Sequence, residues 1–484
     1  MEPRQTHPPT IAGRFGDATA VSLNQRRLWY LDQLFPGNPA YDVPYLAHLA
    51  GDLDLAALKR AFNAVVERHK VLRTVYISRR GLPIPVLLPK WSVPFNHVDL
   101  RQLTLADREM ESRRLIFEAG RYRFNLARDV KLRVLLVQLS NNEFFLLHTS
   151  HHMVFEGGSV GVLYRELALF YDAFTSGHDP VPPPLRSEFG DFIAWQNQRL
   201  QGTHLNELMD YWKQQLSGAP FVHLPLDRPR PAIQSMAGRR HNIVLPVDLV
   251  NAANDFFNTA RTSSFRGLCA AFNVFLYCHT GITDISMGSP VSPRCPPDLQ
   301  DVIGFFVNTV VLRTRFSPEM TFRQLMTEVA SVVRAAVEHS DLPFDKMVEA
   351  VRPPRESSRG PLFQVNFRAP KEPYPTLQLQ GITAGRAVYV DNGTSKFDLA
   401  FEVESSEGKA CYFEYAIDLF EQSTIEQMAA DFQALLRGLI AQPDTPLKDL
   451  PEAKKISERV RNGNAAATAP LDGMHQSDRD RLPG

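Results

Sequence analysis

Apolar positions along the chain follow two periods, and the switches between them mark the elements. Leu55, Leu58, Phe62, Val65 and Val66 fall at helical spacing behind Asp54, a residue suited to capping a first turn. The run passes into RTVYI, which predicts a strand. Upstream, Ser22 and Gln25 stand three apart ahead of RRLWYLDQLF, the spacing at which each side chain satisfies the other's backbone donor, so the fold is expected to begin with a helix there. RVLLVQLS (133–140) and FFLLHTSHH (144–152) flank Asn141-Asn142-Glu143, which predicts a hairpin ending at the histidines. Val160, Leu163, Leu167, Phe170 and Phe174 then write one face of a helix, with Ser159 as its expected N-cap.

The segment HDPVPPPLRSEFG (178–190) is too stiff and too poor in backbone donors for regular structure, and it marks an internal boundary. Beyond it the mixture repeats: a helix over RGLCAAFNVFLYCHTG, a Gly/Pro-rich stretch at 288–297, a strand-like run VIGFFVNTVVLRTRF, a helix at 321–339 and a strand in FQVNF. Alternating helices and strands predict an α/β class with mixed, α+β-like sheets. The expected organisation is a flexible segment 1–20, a first subdomain 21–180, a linker 181–230 and a second subdomain 231–454. Large apolar residues thin out from Lys455, so 455–484 is expected to be a disordered tail.

Composition narrows the function classes. The 484 residues hold 53 basic and 53 acidic side chains, 44% hydrophobic and 10% aromatic content, which suits large buried cores and gives no global field for a polyanion. Nucleic acid is not an expected partner. Cys269, Cys278, Cys295 and Cys411 form no CxxC pair and read as buried reduced thiols. The opening MEPRQTHPPTIAGRFGDATA has no apolar signal core, and no apolar run reaches the ~18 residues of a membrane span. A soluble, cytoplasmic monomer without membrane contact is expected.

In His151-His152-Met153-Val154-Phe155-Glu156-Gly157, ionisable groups, glycines and a strand-to-helix turn coincide. Alternation would place His148, Ser150 and His152 on one strand face and Thr149 and His151 on the other. That split, with no Cys or Asp nearby to complete a set, argues against a metal site. Core histidines satisfied by backbone groups, and an ordinary Gly-Gly turn, are the plainer alternatives.

HHMVFEG resembles the HHxxxDG signature of the condensation domains of nonribosomal peptide synthetases, within the chloramphenicol acetyltransferase-like superfamily. Further segments resemble that family's motifs in order: SLNQRRLWYLDQL, RHKVLRT, YWKQQLSGAP, GSPVSPR with IGFFVNTVVLR, LPFDKMVEAVRPPRESSRGPLFQVNF and FEYAIDLF. The resemblance spans residues 21–450 and implies two acetyltransferase-like subdomains in a V-shaped pseudo-dimer around a central tunnel. Phosphopantetheine arms of acyl or peptidyl carrier proteins would enter it from both sides, with no bound cofactor and no metal. Carried over by position, His152 is the second motif histidine, where donor thioester and acceptor amine or alcohol meet. His151 matches the first histidine, Gly157 the motif glycine, Ser159 the serine after it, and Arg294 the arginine closing GSPVSPR. Asn308 and Asn366 are candidate tunnel-lining residues, with a backbone-satisfying amide as the alternative for each.

The chemistry agrees with that expectation. An amine or hydroxyl attacking a thioester must lose a proton, and an imidazole with a reference pKa near ~6.5 suits the transfer, whether as general base or as a positioning group. The sequence departs from the motif at Glu156, where the family has Asp. The resemblance implies a carboxylate that turns away from substrate and pairs with Arg294 to brace the loop, and Glu keeps the charge with one more methylene. Paired aspartates of heterocyclising domains, the Arg of oxygenase-recruiting relatives and the epimerisation segment are not found, which leaves condensation. No adenylation or carrier sequence follows, so a freestanding enzyme or an excised domain is expected. The expected activity is acyl transfer from a carrier thioester to an amine or alcohol, giving an amide or ester in nonribosomal peptide or polyketide biosynthesis. A coenzyme A-dependent acyltransferase and a noncatalytic carrier-binding platform are the alternatives.

Overall fold

The computed structural model describes residues 20–292, 296–354, 356–369, 374–403 and 410–468. Arg294 and Cys295 lie outside the described residues. The first half runs α1 (Leu23–Leu34), β1 (Asp42–Gly51), α2 (Leu55–Arg68), β2 (Thr74–Arg79), β3 (Leu82–Leu87), β4 (Phe95–Asp99), α3 (Leu105–Gly120), β5 (Leu132–Ser140), β6 (Glu143–His151) and α4 (Gly157–Thr175). Local signals set several of these boundaries. Ser22 and Gln25 form the capping box of α1, and Asp54 accepts from Ala57 N at the start of α2. The β5–β6 hairpin turns at Asn141-Asn142.

After α4 the proline-rich stretch is irregular, and α5 (Phe189–Arg199) and α6 (Gly202–Leu216) lead into the second half. That half contains β7 (Gly238–Val244), α7 (Val247–Thr259), α8 (Ser264–Thr280), β8 (Asp284–Val291), β9 (Asn308–Arg315), α9 (Phe322–Glu338), α10 (Phe344–Val351) and β10 (Val365–Arg368). It continues through β11 (Ile382–Ala384), β12 (Val388–Tyr389), β13 (Leu399–Val403), β14 (Ala410–Ala416), α11 (Gln422–Ala441) and α12 (Pro451–Thr468).

Two mixed sheets result. The first has the order β11-β1-β6-β5-β4, with β12 also on β1, and the second β7-β14-β13-β10-β8-β9. β4 runs parallel to β5, and β10 parallel to both β8 and β13; the other pairs are antiparallel. Each sheet has its own apolar core, but the partition at 231 is not clean in space. Leu299, Ile303, Phe306, Leu377 and Leu379 pack into the core of the first half, and β11 and β12 complete the first sheet against β1.

Two further expectations are corrected. The strand-like run from Val302 becomes regular only at Asn308, because the backbone donors of Phe306 and Val307 are taken by the Glu156 carboxylate. The tail expected to be disordered from Lys455 instead continues α12 to Thr468. Ala453 and Ile456 are buried and Val460 packs against the same core, so sparse apolar residues at helical spacing suffice once α8 and α11 supply a surface. Residues 469–484 lie outside the described residues. Cys269, Cys278 and Cys411 are buried. No helix among the described residues is long and apolar enough to cross a membrane.

Candidate active site

β6 delivers His151 at its last position, opposite Asp42 on β1, and the chain then turns through His152 to Phe155 before α4 begins. The strand stops one residue short of His152, so the alternation that would have grouped His152 with His148 does not reach it. Two bonds orient His152 instead. Its backbone N–H donates to Tyr41 O at 2.8 Å, and its ring Nδ1 lies 2.8 Å from Phe155 O. A carbonyl oxygen only accepts, so Nδ1 carries the proton and Nε2 keeps the lone pair. The half-buried ring leans on Phe305 at 4.8 Å between centroids. Burial first, and then the nearby Lys396 ammonium, lowers its pKa to about 3 against the two backbone bonds that raise it. The imidazole is therefore neutral at any ordinary pH.

His151 has the opposite tautomer. Its Nδ1 accepts from Met153 N at 3.1 Å, so the proton sits on Nε2, and its ring meets Phe124 edge-on. It closes the turn that presents His152. Below them His148 is fully buried among Tyr45, Phe155 and Tyr164, with no hydrogen-bond partner for either ring nitrogen among the described residues. Burial lowers both His148 and His151 to about 3. With His152, three histidines are so lowered; their unfolded pKa is near ~6.5, so as pH falls below that value the unfolded chain binds up to three protons the folded chain refuses. Stability present above pH ~6.5 is then lost towards pH 3, by about 4.1 kcal/mol per pH unit once all three sites are protonated in the unfolded chain. Urea midpoints measured over about pH 5–7 test this, and a flat profile contradicts it.

Lys131, fully buried, adjoins the turn: its carbonyl accepts from His151 N and its Nζ donates to Asp129 O. Burial lowers its pKa to about 7. Lys131→Met is expected to stabilise the fold by about 1–4 kcal/mol in urea titrations. The gain should be largest at and below pH ~7 and fade towards the ordinary lysine pKa of ~10.4, because the unfolded lysine binds the extra proton only between those values.

Glu156 precedes α4 as its N-cap residue, and its side chain leaves the helix. One carboxylate oxygen accepts from Phe306 N at 2.9 Å and Val307 N at 2.6 Å, the other from Ser292 Oγ at 2.9 Å. The carboxylate thus ties the histidine turn to two segments of the second half. Ser159 is not the N-cap, because α4 starts two residues earlier; its hydroxyl instead meets both Gly304 N and Gly304 O at 3.2 Å. Gly304 has no room for a side chain, since a Cβ there would lie 2.2 Å from Phe189. Gly157 opens α4, and a Cβ on it would contact Tyr374, Tyr45 and Arg368 at ordinary distances. Asn308 is buried with its amide fully used, donating to Ser340 O and Leu342 O and accepting from Phe344 N, so it staples the approach to α10 and is not a lining residue. Asn366 is buried at the centre of β10, paired to Gly288 and Ala400.

A polar wall from the second half faces this turn, and no local pattern pointed to it. Arg368, opposite Glu402 in the β10–β13 register, donates to that carboxylate at 2.8 Å and to Tyr374 Oη at 2.6 Å. Tyr412 also donates to Glu402. Arg240 pairs with Glu414 at 3.2 Å and lies over the rings of Tyr389 and Tyr412. Lys396 stands 5.1 Å from the centre of the Tyr41 ring. The only sequence signal was charge within otherwise apolar strands. What the turn and wall can do together is hold a neutral imidazole, lone pair free, in a strongly polar setting.

Comparison with known proteins gives the same picture. A family model described as Condensation domain matches residues 16–457. A linear gramicidin synthase protein from Brevibacillus parabrevis is 37% identical over 89% of this chain, and phosphinothricin tripeptide synthetase PhsC of Streptomyces viridochromogenes 35% over 92%. The chain spans 6% and 41% of their respective lengths. Among solved structures, the X-domain from teicoplanin biosynthesis is 25% identical, with a TM-score of 0.80 over 91% of this chain and 99% of that one. The first condensation domain of the calcium-dependent antibiotic synthetase, 18% identical, shares the fold at a TM-score of 0.77 over 90% and 99%. Its sequence matches, its two-sheet architecture and its histidine turn together place this chain in the condensation-domain family of nonribosomal peptide synthetases.

Proposed function

We propose that the protein transfers an acyl group from a carrier-bound phosphopantetheine thioester to an amine, forming an amide during assembly of a peptide natural product. The observation that carries this reading is the tautomer of His152: with Nδ1–H held by Phe155 O, Nε2 is the atom left to meet an acceptor. The amine nitrogen attacks the thioester carbon and the carbonyl becomes an oxyanion. As the carbon–nitrogen bond forms, the attacking nitrogen becomes acidic and its proton passes to Nε2. Collapse of the oxyanion breaks the carbon–sulfur bond, and the imidazolium returns the proton to the departing thiolate. Holding donor and acceptor together supplies the rest, since correct placement alone removes ~7–11 kcal/mol of barrier.

Amide is favoured over ester because one of the relatives above is named as a tripeptide synthetase. Carrier proteins are the proposed partners, the cytoplasm the proposed setting, and a monomer the proposed working form. Incubating the protein with acyl-loaded carrier proteins and a panel of amines and alcohols, with products read by mass spectrometry, tests the reading. Amide products support it. Turnover only with acyl-coenzyme A would replace the carrier as donor, and carrier binding without any product would make the protein a platform.

A further inference from the structure

Among the described residues the Lys396 ammonium forms no ion pair, although Glu414 and Glu402 lie near enough to act on it. Lys396 sits on the loop between β12 and β13, and the loop is pinned on both sides of it. Asn392 Nδ2 donates to Pro39 O at 2.8 Å and to Asp42 O at 3.3 Å, Thr394 Oγ1 donates to Asn392 Oδ1 at 2.6 Å, and Ser395 N donates to Met236 O at 2.9 Å. Asp398, just past it, is paired with Arg230. Asn392, Thr394, Ser395 and Asp398 are all buried, whereas Lys396 is half-buried and projects over the ring of Tyr41. Tyr41 is also the residue whose carbonyl holds His152 N. A rigid support therefore places an ammonium at the reacting end of the site.

Its possible partners are already engaged. Glu402 is taken by Arg368 and Tyr412, and Glu414 by Arg240. Asp42 is 1% exposed, and one of its carboxyl oxygens has no hydrogen-bond partner. Burial pushes its pKa well up, against the opposing pull of the Lys396 ammonium. His151 and His152 are neutral. Within the wall itself this sets Lys396, Arg368 and Arg240 against Glu402 and Glu414, and Lys396 is the cation there without an ion pair among the described residues. Among the described residues its ammonium has no hydrogen bond and no ion pair, only the face of Tyr41. A half-buried ammonium so placed can gain a charge-assisted hydrogen bond from an anion brought in by the substrate.

We propose that Lys396 receives a carboxylate of the small-molecule substrate, so that the site takes an amine or acyl donor bearing a free acid. This rests on the acyl-transfer reading above and adds the substrate class to it. The carboxylate has two possible origins. An acceptor tethered to a carrier has its carboxyl tied up as a thioester, whereas an untethered amino acid presents it free; alternatively the acyl chain of the donor carries the acid.

The test separates these cases and does not depend on total activity. Common amino acids and their carboxamides serve as acceptors, each with monoacyl and dicarboxylic acyl donors on the carrier. The readout is the ratio of kcat/KM for acid over amide acceptor, and for acidic over neutral donor. In Lys396→Met one of the two ratios is expected to fall at least about tenfold, as follows when one partner of a desolvated charge pair is removed. Lys396→Arg is expected to restore most of it. The ratio that moves identifies the origin of the carboxylate; if neither moves, the inference is overturned. Calorimetric titration of the same amino acids and amides, and of the free dicarboxylic acids with their monoamides, into wild type and Lys396→Met gives a readout that needs no turnover. Equal affinity for acid and amide throughout in the wild type also overturns it. Absence of product with selective acid binding would instead count against the acyl-transfer reading alone.

Discussion

Replacing His152 by alanine is expected to lower kcat/KM with a loaded carrier by about 10²–10⁴-fold, the range that a positioned acid–base group supplies. The loss should stop short of abolition, because the placement of two reactants survives the substitution. The fold is expected to tolerate it. His152 is half-buried, its backbone bond to Tyr41 does not need the ring, and the one side-chain bond lost, to Phe155 O, contributes about 1 kcal/mol. His152→Asn separates base from positioning, since an amide can hydrogen-bond to the acceptor but cannot take its proton at this site. Activity close to wild type in the asparagine variant would remove the proton-transfer role. The measurement is steady-state turnover by mass spectrometry beside a thermal unfolding curve for each variant.

Glu156→Ala is expected to destabilise the protein by about 3–5 kcal/mol and to abolish turnover together with the fold of the turn. The side chain is 2% exposed and, among the described residues, accepts from three donors, two of them backbone N–H groups that the alanine variant would strand in the interior. Glu156→Asp restores the family's residue at this position, yet it is expected to fall short: the carboxylate retracts by one methylene from donors now held at 2.6–2.9 Å. It should lose about 1–3 kcal/mol and part of its activity. Denaturant titration and turnover of the two variants check both points. An aspartate variant more active than wild type would show that the extra methylene impairs the site.

Local signals in the sequence read true where the responsible residues are neighbours along the chain. The Ser22–Gln25 box, the Asp54 cap and the Asn141-Asn142 turn each involve partners within a few positions, and each appears as read. The segment carrying the two histidines was visible for the same reason. What failed depended on distant partners. Ser159 was expected as the N-cap and is not, because its bond is to Gly304 and the helix starts after Glu156. Val302–Val307 has the composition of a strand but spends two of its donors on a carboxylate some 150 residues earlier in the chain. The wall of Arg368, Glu402, Arg240 and Glu414 arises from the register of four strands, and Lys396 from a loop tied to Pro39 and Asp42. The condensation motifs located His152, the proposed acid–base residue; its surroundings came from tertiary structure.

The return of β11 and β12 to β1 bears on how the molecule could be divided. A fragment ending in the proline-rich stretch would bare one side of β1 from Tyr45 to Gly51, a ragged ladder of orphaned amides ready to recruit foreign strands. Two pieces made apart would thus be poor building blocks, and domain exchange between relatives should graft the unit whole.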